Sequence, residues 1–172
     1  MLYELCNISK ELLSNLSNAP STASISSTTS YESTIVSTDT ITLIEVNHMR
    51  DQSRYVQNLS NWADELQVNL KVLHLKFRKR NNHWIIVMGS EGKVKSFKKN
   101  LRTQNVDIDS KGRPCKERLA KELSSQNVLQ ASKNFVNDVI EEDITSVISL
   151  KSWFVNFEIS NLLDQSFLEH DD

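Results

Sequence analysis

Between residues 41 and 109 the spacing of apolar side chains changes repeatedly, and this limits the fold more than any other feature of the sequence. Apolar residues alternate with polar ones in ITLIEV, recur at three- and four-residue spacing from Tyr55 to Leu66, and alternate again in LKVLHLKF. Alternation favours a strand, and the longer spacing favours an amphipathic helix. This stretch therefore predicts a strand, a helix with Asp51 as its N-cap, and a second strand.

A second group of elements follows a polar hairpin tip, RKRNN. HWIIVMG predicts a buried strand, Val94, Phe97 and Leu101 predict the apolar face of a helix near 91–104, and VDID predicts a fourth short strand. The order strand, helix, strand, strand, helix, strand is that of the split βαβ, or ferredoxin-like, arrangement. The sequence thus predicts an α+β fold in which two helices pack on one face of a four-stranded antiparallel sheet.

The segments before this core differ from it in composition. Residues 1–17 carry an amphipathic helical pattern, but a helix this short needs a partner surface. Residues 18–40 are dominated by Ser and Thr and have too few apolar residues to fold, which predicts a flexible linker. The folded domain is expected to span residues 41–170.

The chain after VDID is predicted to extend the core. Pro114 suits the first position of a further helix, with Cys115, Leu119 and Leu123 on one face. A strand is predicted near residues 135–140. A helical region over about 144–168 then completes the domain as a C-terminal helical extension.

Charge is distributed unevenly along the chain. Residues 71–121 hold 15 Lys or Arg and 4 Asp or Glu, a net charge of +11, whereas the whole chain carries −2. Such a segregation creates a surface potential that attracts a protein partner or RNA, although a solvated face is the alternative interpretation. The residues predicted to bind the partner are Arg78, Lys79, Arg80, Lys95, Lys98 and Lys99.

The sequence contains no arrangement that suits catalysis. The histidines lie on different predicted elements without the close ligand pairs of a zinc site, and three glycines in total cannot form a phosphate-binding loop. Cys115, next to Lys116 and Arg118, is interpreted as a buried structural thiol rather than a nucleophile. We therefore predict that the protein is not an enzyme and that it binds no cofactor and no metal. Two cysteines far apart in sequence suit a reducing compartment, and the apolar runs are too short to span a bilayer. We expect a location in the nucleus and cytoplasm and no membrane partner.

Two stretches carry a resemblance to a known family. VNHMRDQSRYVQNLSNWADEL and VDIDSKGRPCKERL resemble the C-terminal half of the RWD domain-containing protein 3 family, the sumoylation enhancers. That half is similar to the ferredoxin-like C-terminal domain of a spliceosomal small nuclear ribonucleoprotein of the Prp-three type. The resemblance covers roughly residues 41–170. The family-motif residues are His48, Met49, Arg50, Asp107, Asp109, Gly112, Cys115 and Lys116.

The resemblance implies a function through protein contacts. It implies a non-enzymatic adaptor whose partner is the SUMO-conjugating machinery, and the spliceosomal relative makes an RNA-binding module the alternative. MLYELCNISKEL looks like the final helix of the family's RWD domain. Residues 1–17 are then expected to be the remnant of an RWD domain that is mostly missing from this chain.

Overall fold

The computed structural model describes residues 38–77, 82–128, 135 and 140–163. The chain divides into two units, Met1–Thr34 and Ile35–Asp172, and all the described residues belong to the second. The helix predicted over 1–17 and nearly all of the linker predicted over 18–40 lie outside the described residues. Helices and strands combine in the described ranges, which confirms the predicted α+β class.

Three antiparallel strands form the centre of the main sheet. They are β1 (Asp39–Val46), β2 (Asn69–Leu75) and β3 (Asn82–Ser90), and β3 lies between the other two. Ile85 of β3 lies opposite both Ile44 and Val72, so one apolar row crosses the sheet. Because side chains alternate along a strand, the neighbouring positions point to the other face.

Two helices cover the face that carries Ile85. They are α1 (Gln52–Leu66) and α2 (Glu91–Thr103). The Asp51 carboxylate accepts a hydrogen bond from the Arg54 backbone N–H at 3.1 Å, which confirms the predicted N-cap. Trp62 is buried and meets Phe97 edge to face, with ring centroids 6.3 Å apart. Both helices contribute to one apolar cluster, as the apolar periodicities predict.

The ferredoxin-like detail is not confirmed, because the predicted fourth strand lies in another sheet. β4 (Asn105–Ile108) pairs with β5 (Pro114–Lys116) in a two-stranded ribbon. The place beside β1 belongs to β6 (Lys121–Val128). Polar pairs join β6 to β1, since Thr42 Oγ1 lies 2.8 Å from Ser125 Oγ.

The helix predicted from Pro114 is wrong, since this segment forms β5 and, after a short loop, β6. The misleading signal was the four-residue spacing of Cys115, Leu119 and Leu123. A spacing of four places residues on one face of a helix, but here it spans β5, the following loop and β6. The three residues therefore share no single element.

The C-terminal part adds an edge strand and covers the second face of the sheet. β7 (Ile140–Ile144) pairs with β2 in parallel, so the main sheet has five strands and is mixed rather than wholly antiparallel. The helical extension is present as α3 (Val147–Asn156) and a 3-10 turn over Ser160–Leu162. β7 shares only Ile140 with the strand predicted near 135–140, and residues 136–139 lie outside the described ones. No helix in the described part of the chain is long and apolar enough to cross a membrane.

The second face has an apolar core of its own. Trp84 is fully buried on this face, with its ring centroid 6.0 Å from that of Phe154 on α3. Lys71 is also buried here, and its ammonium lies 5.6 Å from the Phe135 ring and 5.7 Å from the Phe157 ring. The interpretation of Trp84 as a core residue is confirmed, and one lysine of the basic segment does not belong to the surface.

Candidate functional site: a pocket between two motif segments

The two segments that carry the family resemblance meet in the structure. Asp107 of β4 is buried, and its carboxylate faces the loop between β1 and α1. It accepts hydrogen bonds from the backbone N–H groups of Arg50 at 2.9 Å and Asp51 at 3.0 Å, and from that of Ile108 at 2.8 Å. One carboxylate thus satisfies three backbone donors and fixes the first motif segment against the second.

A second set of hydrogen bonds joins α1 to the chain around β5. The Tyr55 hydroxyl donates to Glu117 Oε2 at 3.1 Å, and the Leu119 backbone N–H donates to Glu117 Oε1 at 2.7 Å. Burial, followed by the charge of Glu117, raises the pKa of Tyr55 far above its ordinary value. Asn58 donates to the Val106 carbonyl at 3.0 Å. The apolar stripe of α1 therefore also carries the polar groups that hold the ribbon in place.

Asp109 shapes the turn between β4 and β5. Its carboxylate accepts from the backbone N–H groups of Lys111 and Arg113 at 2.8 and 2.9 Å and pairs with the Arg113 guanidinium at 2.8 Å. These contacts, the Arg113 backbone N–H first, lower the pKa of Asp109. Gly112 follows with a φ of +76°, a conformation that favours glycine. Asp109 is therefore a turn residue that pairs with the neighbouring cation Arg113.

A cavity of about 820 Å³ opens where these segments meet, and we call it the motif pocket. The loop after β1, the β4–β5 ribbon and the loop before β6 form its walls. Of the family-motif residues, Met49 and Gly112 do not line it. The lining residues are His48, Arg50, Asn105, Asp107, Ile108, Asp109, Arg113, Pro114, Cys115, Lys116, Glu117, Arg118 and Leu119.

The acidic side chains of the motif pocket bind groups of the fold, whereas three of its four Lys and Arg side chains do not. The three carboxylates are bound within the fold, as described above. Arg50, Lys116 and Arg118 are exposed and form no side-chain ion pair or hydrogen bond with the described residues. Leu119 is 57% exposed at the same site. The pocket therefore presents unpaired cations beside an exposed apolar side chain.

Arg118 and Leu119 were missed as site residues by the sequence reasoning. The predicted helix from Pro114 placed Leu119 on an apolar helix face, whereas it lies in an exposed loop. The signal that could have identified both residues is their position as the last two residues of the second stretch, VDIDSKGRPCKERL.

The Cys115 thiol lies half-buried in the motif pocket and is not activated. Loss of solvent is the main effect that raises its pKa, and Asp107 and Asp109 raise it further. The neighbouring Arg118 acts in the opposite direction but is the weaker influence. The thiol is therefore protonated at neutral pH, but it is only partly buried, whereas a buried thiol was predicted.

The lysines predicted to bind a partner from α2 lie outside the motif pocket. Lys95 pairs with Glu91 at 2.6 Å one turn earlier, and Lys98 pairs with Glu122 of β6 at 3.0 Å. Lys99 is exposed and forms no ion pair within the described ranges. The tip residues Arg78, Lys79 and Arg80 lie outside the described residues. A binding role stays a prediction for Arg78, Lys79, Arg80, Lys95, Lys98 and Lys99.

A separate buried cluster contains two histidines at the far end of the central strands. His74 Nε2 lies 2.8 Å from Glu141 Oε1, and His74 Nδ1 lies 2.6 Å from His83 Nδ1. Since a carboxylate accepts, His74 donates from Nε2, and its neutral Nδ1 then accepts from His83. His74 is thus a structural histidine, which joins β2 to β3 and β7. The described residues contain no group of three or more His, Cys, Asp or Glu that could hold a metal ion.

This cluster makes stability depend on pH. Burial is the first cause, and His74 the second, that lowers the pKa of His83 to about 4 from about 6.5. Between these values the unfolded chain binds more protons than the folded chain, so stability is expected to fall as the pH falls from 6.5 to 4. Because a single proton is involved, the free energy of unfolding changes by at most about 1.4 kcal/mol per pH unit. Thermal or urea unfolding between pH 7 and 4 measures it.

His83→Asn is the matched variant for this prediction. It removes the titrating ring but keeps a polar side chain that can donate to His74. We expect a smaller decrease in stability over the same pH range, because the variant lacks the ring whose pKa is lowered on folding. An identical pH dependence in the parent and the variant would contradict the prediction.

No protein-family model matches the chain. Curated relatives do match, and all carry the name RWD domain-containing protein 3. The human relative is 26% identical over 144 residues, which is 83% of this chain and 52% of the relative. The rat relative is 28% identical over 102 residues, 59% of this chain and 37% of the relative. The Xenopus tropicalis relative is 27% identical over 126 residues, 69% of this chain and 46% of the relative.

These matches confirm the predicted resemblance to RWD domain-containing protein 3. The matched segments cover only 37 to 52% of the length of these relatives. Among solved structures, a bacterial light-regulated adenylyl cyclase aligns over 77% of this chain and 36% of its own, with 14% identity and a TM-score of 0.44. BlsA in its photo-activated state aligns over 76% of this chain and 89% of its own, with 11% identity and a TM-score of 0.42. Structural likeness this low carries no functional conclusion.

Proposed function

We propose that this chain is a non-enzymatic adaptor of the sumoylation-enhancer type, which contacts the SUMO-conjugating machinery through the motif pocket. The observation that carries the proposal is the construction of this pocket from the two segments that resemble the family. Asp107 joins those segments, while Arg50, Lys116 and Arg118 remain unpaired within the described part of the chain. Exposed cations around an apolar residue are suited to recognition of a protein surface.

RNA binding is the alternative, and the excess of positive charge over residues 71–121 favours it. One common mode of RNA recognition stacks bases on aromatic side chains of an open sheet face. Here α1 and α2 cover one face and α3 packs on the other, with Trp84 buried beneath it. RNA binding would therefore have to use the cationic surfaces rather than a sheet platform, which makes the protein adaptor the better-supported proposal.

A reconstituted SUMO-conjugation assay tests the adaptor function. The chain is expected to increase the rate at which purified conjugating enzyme modifies a substrate, and Arg50→Glu with Lys116→Glu is expected to remove most of that increase. Lys151→Glu is the matched control, because Lys151 is an exposed lysine of α3 on the other side of the sheet. Absence of any rate increase with the folded parent chain, or an equal loss in the control, would contradict the proposal.

A salt titration separates the adaptor from the RNA-binding module. Binding to single-stranded RNA should weaken with a slope of about −0.7 per neutralised phosphate in a plot of log affinity against log salt. Binding to a protein surface through three cations and an apolar residue should weaken less than RNA binding as the salt concentration rises. We expect the conjugating enzyme to remain bound at salt concentrations that release RNA, and the reverse order would favour the alternative. We further propose that the adaptor acts in the nucleus and cytoplasm, which imaging of the tagged chain would test.

A further inference from the structure

We infer that the motif pocket recognises an acidic peptide segment that carries an apolar side chain, an inference that rests on the adaptor function proposed above. The charges around the pocket provide the first reason. Arg50, Lys116 and Arg118 are exposed without an ion pair among the described residues, whereas the carboxylates of Asp107 and Glu117 are buried and occupied by donors of the fold. The charged side chains that face outward without a partner among the described residues are therefore cations.

The exposed apolar side chain provides the second reason. Leu119 is 57% exposed, and it lies beside Arg118 in the wall of the pocket. The other large apolar side chains that the described residues expose, Ile148 and Val155, belong to α3 on the opposite face of the sheet. Burying a leucine against an apolar side chain of a partner removes apolar surface from water and stabilises a complex. An apolar residue between carboxylates would thus contact Leu119 while the cations pair with its neighbours.

The composition of the pocket favours a peptide over a nucleic acid. Among its lining residues the single aromatic ring is the imidazole of His48, so bases would find no phenyl or indole face to stack on. A volume of about 820 Å³ lies in the range of ligand pockets and suffices for a few side chains.

Titration of the isotope-labelled full chain with a short synthetic peptide tests this inference by NMR. The probe contains one central leucine flanked on each side by glutamates. We expect its amide shifts to be confined to the loop after β1 and to residues 105–119. A peptide with the leucine flanked by serines, and a uridine oligonucleotide, serve as competing probes and are expected to bind at least fivefold more weakly.

Two variants resolve the contributions of charge and of apolar contact. Arg118→Glu and Leu119→Ser are each expected to weaken binding of the glutamate peptide about fivefold, the effect of roughly 1 kcal/mol. Lys151→Glu should bind like the parent. Arg118→Glu should in turn bind a lysine-flanked peptide more tightly than the parent does. Equal binding of the serine and glutamate peptides, tighter binding of the oligonucleotide, or shifts on α2 or α3 instead would overturn the inference.

These outcomes are distinguishable from failure of the adaptor function. If the conjugating enzyme binds the motif pocket but the glutamate peptide does not, the proposed chemistry of the partner is wrong and the adaptor proposal stands. If the peptide binds the pocket but conjugation is unchanged, the pocket binds an acidic segment of another protein, and the sumoylation proposal is wrong.

Discussion

Trp84→Ala and Trp62→Ala are each expected to lower the free energy of unfolding by about 3–5 kcal/mol, the usual cost of truncating a large buried aromatic residue. The two rings lie on opposite faces of the sheet. Trp62 packs against Phe97 under α1 and α2, and Trp84 packs against Phe154 under α3. Urea unfolding of the folded variants at neutral pH measures both changes.

The comparison of the two tryptophans also tests whether the second face is a true core. Ile148→Ala and Val155→Ala are matched controls, because these α3 side chains are 78% and 62% exposed. Each control should change stability by less than about 0.5 kcal/mol. A small effect of Trp84→Ala, at the level of these controls, would mean that α3 does not cover the sheet in solution.

Asp107→Ala is expected to destabilise the chain by about 3 kcal/mol and to loosen the motif pocket. The change leaves the backbone N–H groups of Arg50, Asp51 and Ile108 without their acceptor. A donor that loses its partner costs about 1–3 kcal/mol when it is buried, and these groups are partly buried. Urea unfolding measures the stability, and amide exchange at residues 50 and 51 reports the local opening.

Two further variants interpret this result. Asp107→Asn keeps one carbonyl oxygen, and its stability is expected to lie between that of the parent and that of Asp107→Ala. Asp64→Ala removes an exposed carboxylate of α1 and should change stability by less than about 0.5 kcal/mol. If Asp107→Ala is as stable as Asp64→Ala and its amides exchange no faster, then Asp107 does not hold the two motif segments together.

The central part of the fold could be predicted because its signals are local. The stripe from Tyr55 to Ala63 and the alternation in β2 each identify an element and its buried face from a few consecutive residues. VDID could be recognised as a strand but not assigned to a sheet. Its pairing depends on Gly112, which returns the chain toward β5, and on the distant backbone donors that Asp107 requires.

The second face of the sheet illustrates what a periodic pattern leaves open. A helical region was expected at the C-terminus, but no local signal states which face of a sheet such a helix covers. The parallel pairing of β7 with β2 similarly joins residues about 70 positions apart in sequence. The buried position of Lys71 follows from this covering, because Phe135 and Phe157 reach its side chain only once the C-terminal segment has packed.

The candidate site was predicted in part. The resemblance identified His48, Arg50 and Asp107 as residues of interest, yet it gave no indication that their segments meet in one pocket. Arg118 and Leu119 remained unrecognised, since an exposed loop leucine has no periodic signature. The charge pattern directed attention to α2, where Lys95 and Lys98 are paired with acids, because net charge along a sequence does not reveal ion pairing.

The most direct test of the account is an NMR titration of the isotope-labelled chain with purified, unlabelled SUMO-conjugating enzyme. The account predicts that amide shifts and line broadening are confined to residues 48–50 and 113–119, around the motif pocket, and that Arg50→Glu with Lys116→Glu abolishes them while Lys151→Glu does not. Shifts confined to α2 or α3, or no shift with a folded chain and a concentrated enzyme, would contradict the claim that this pocket contacts the conjugating machinery.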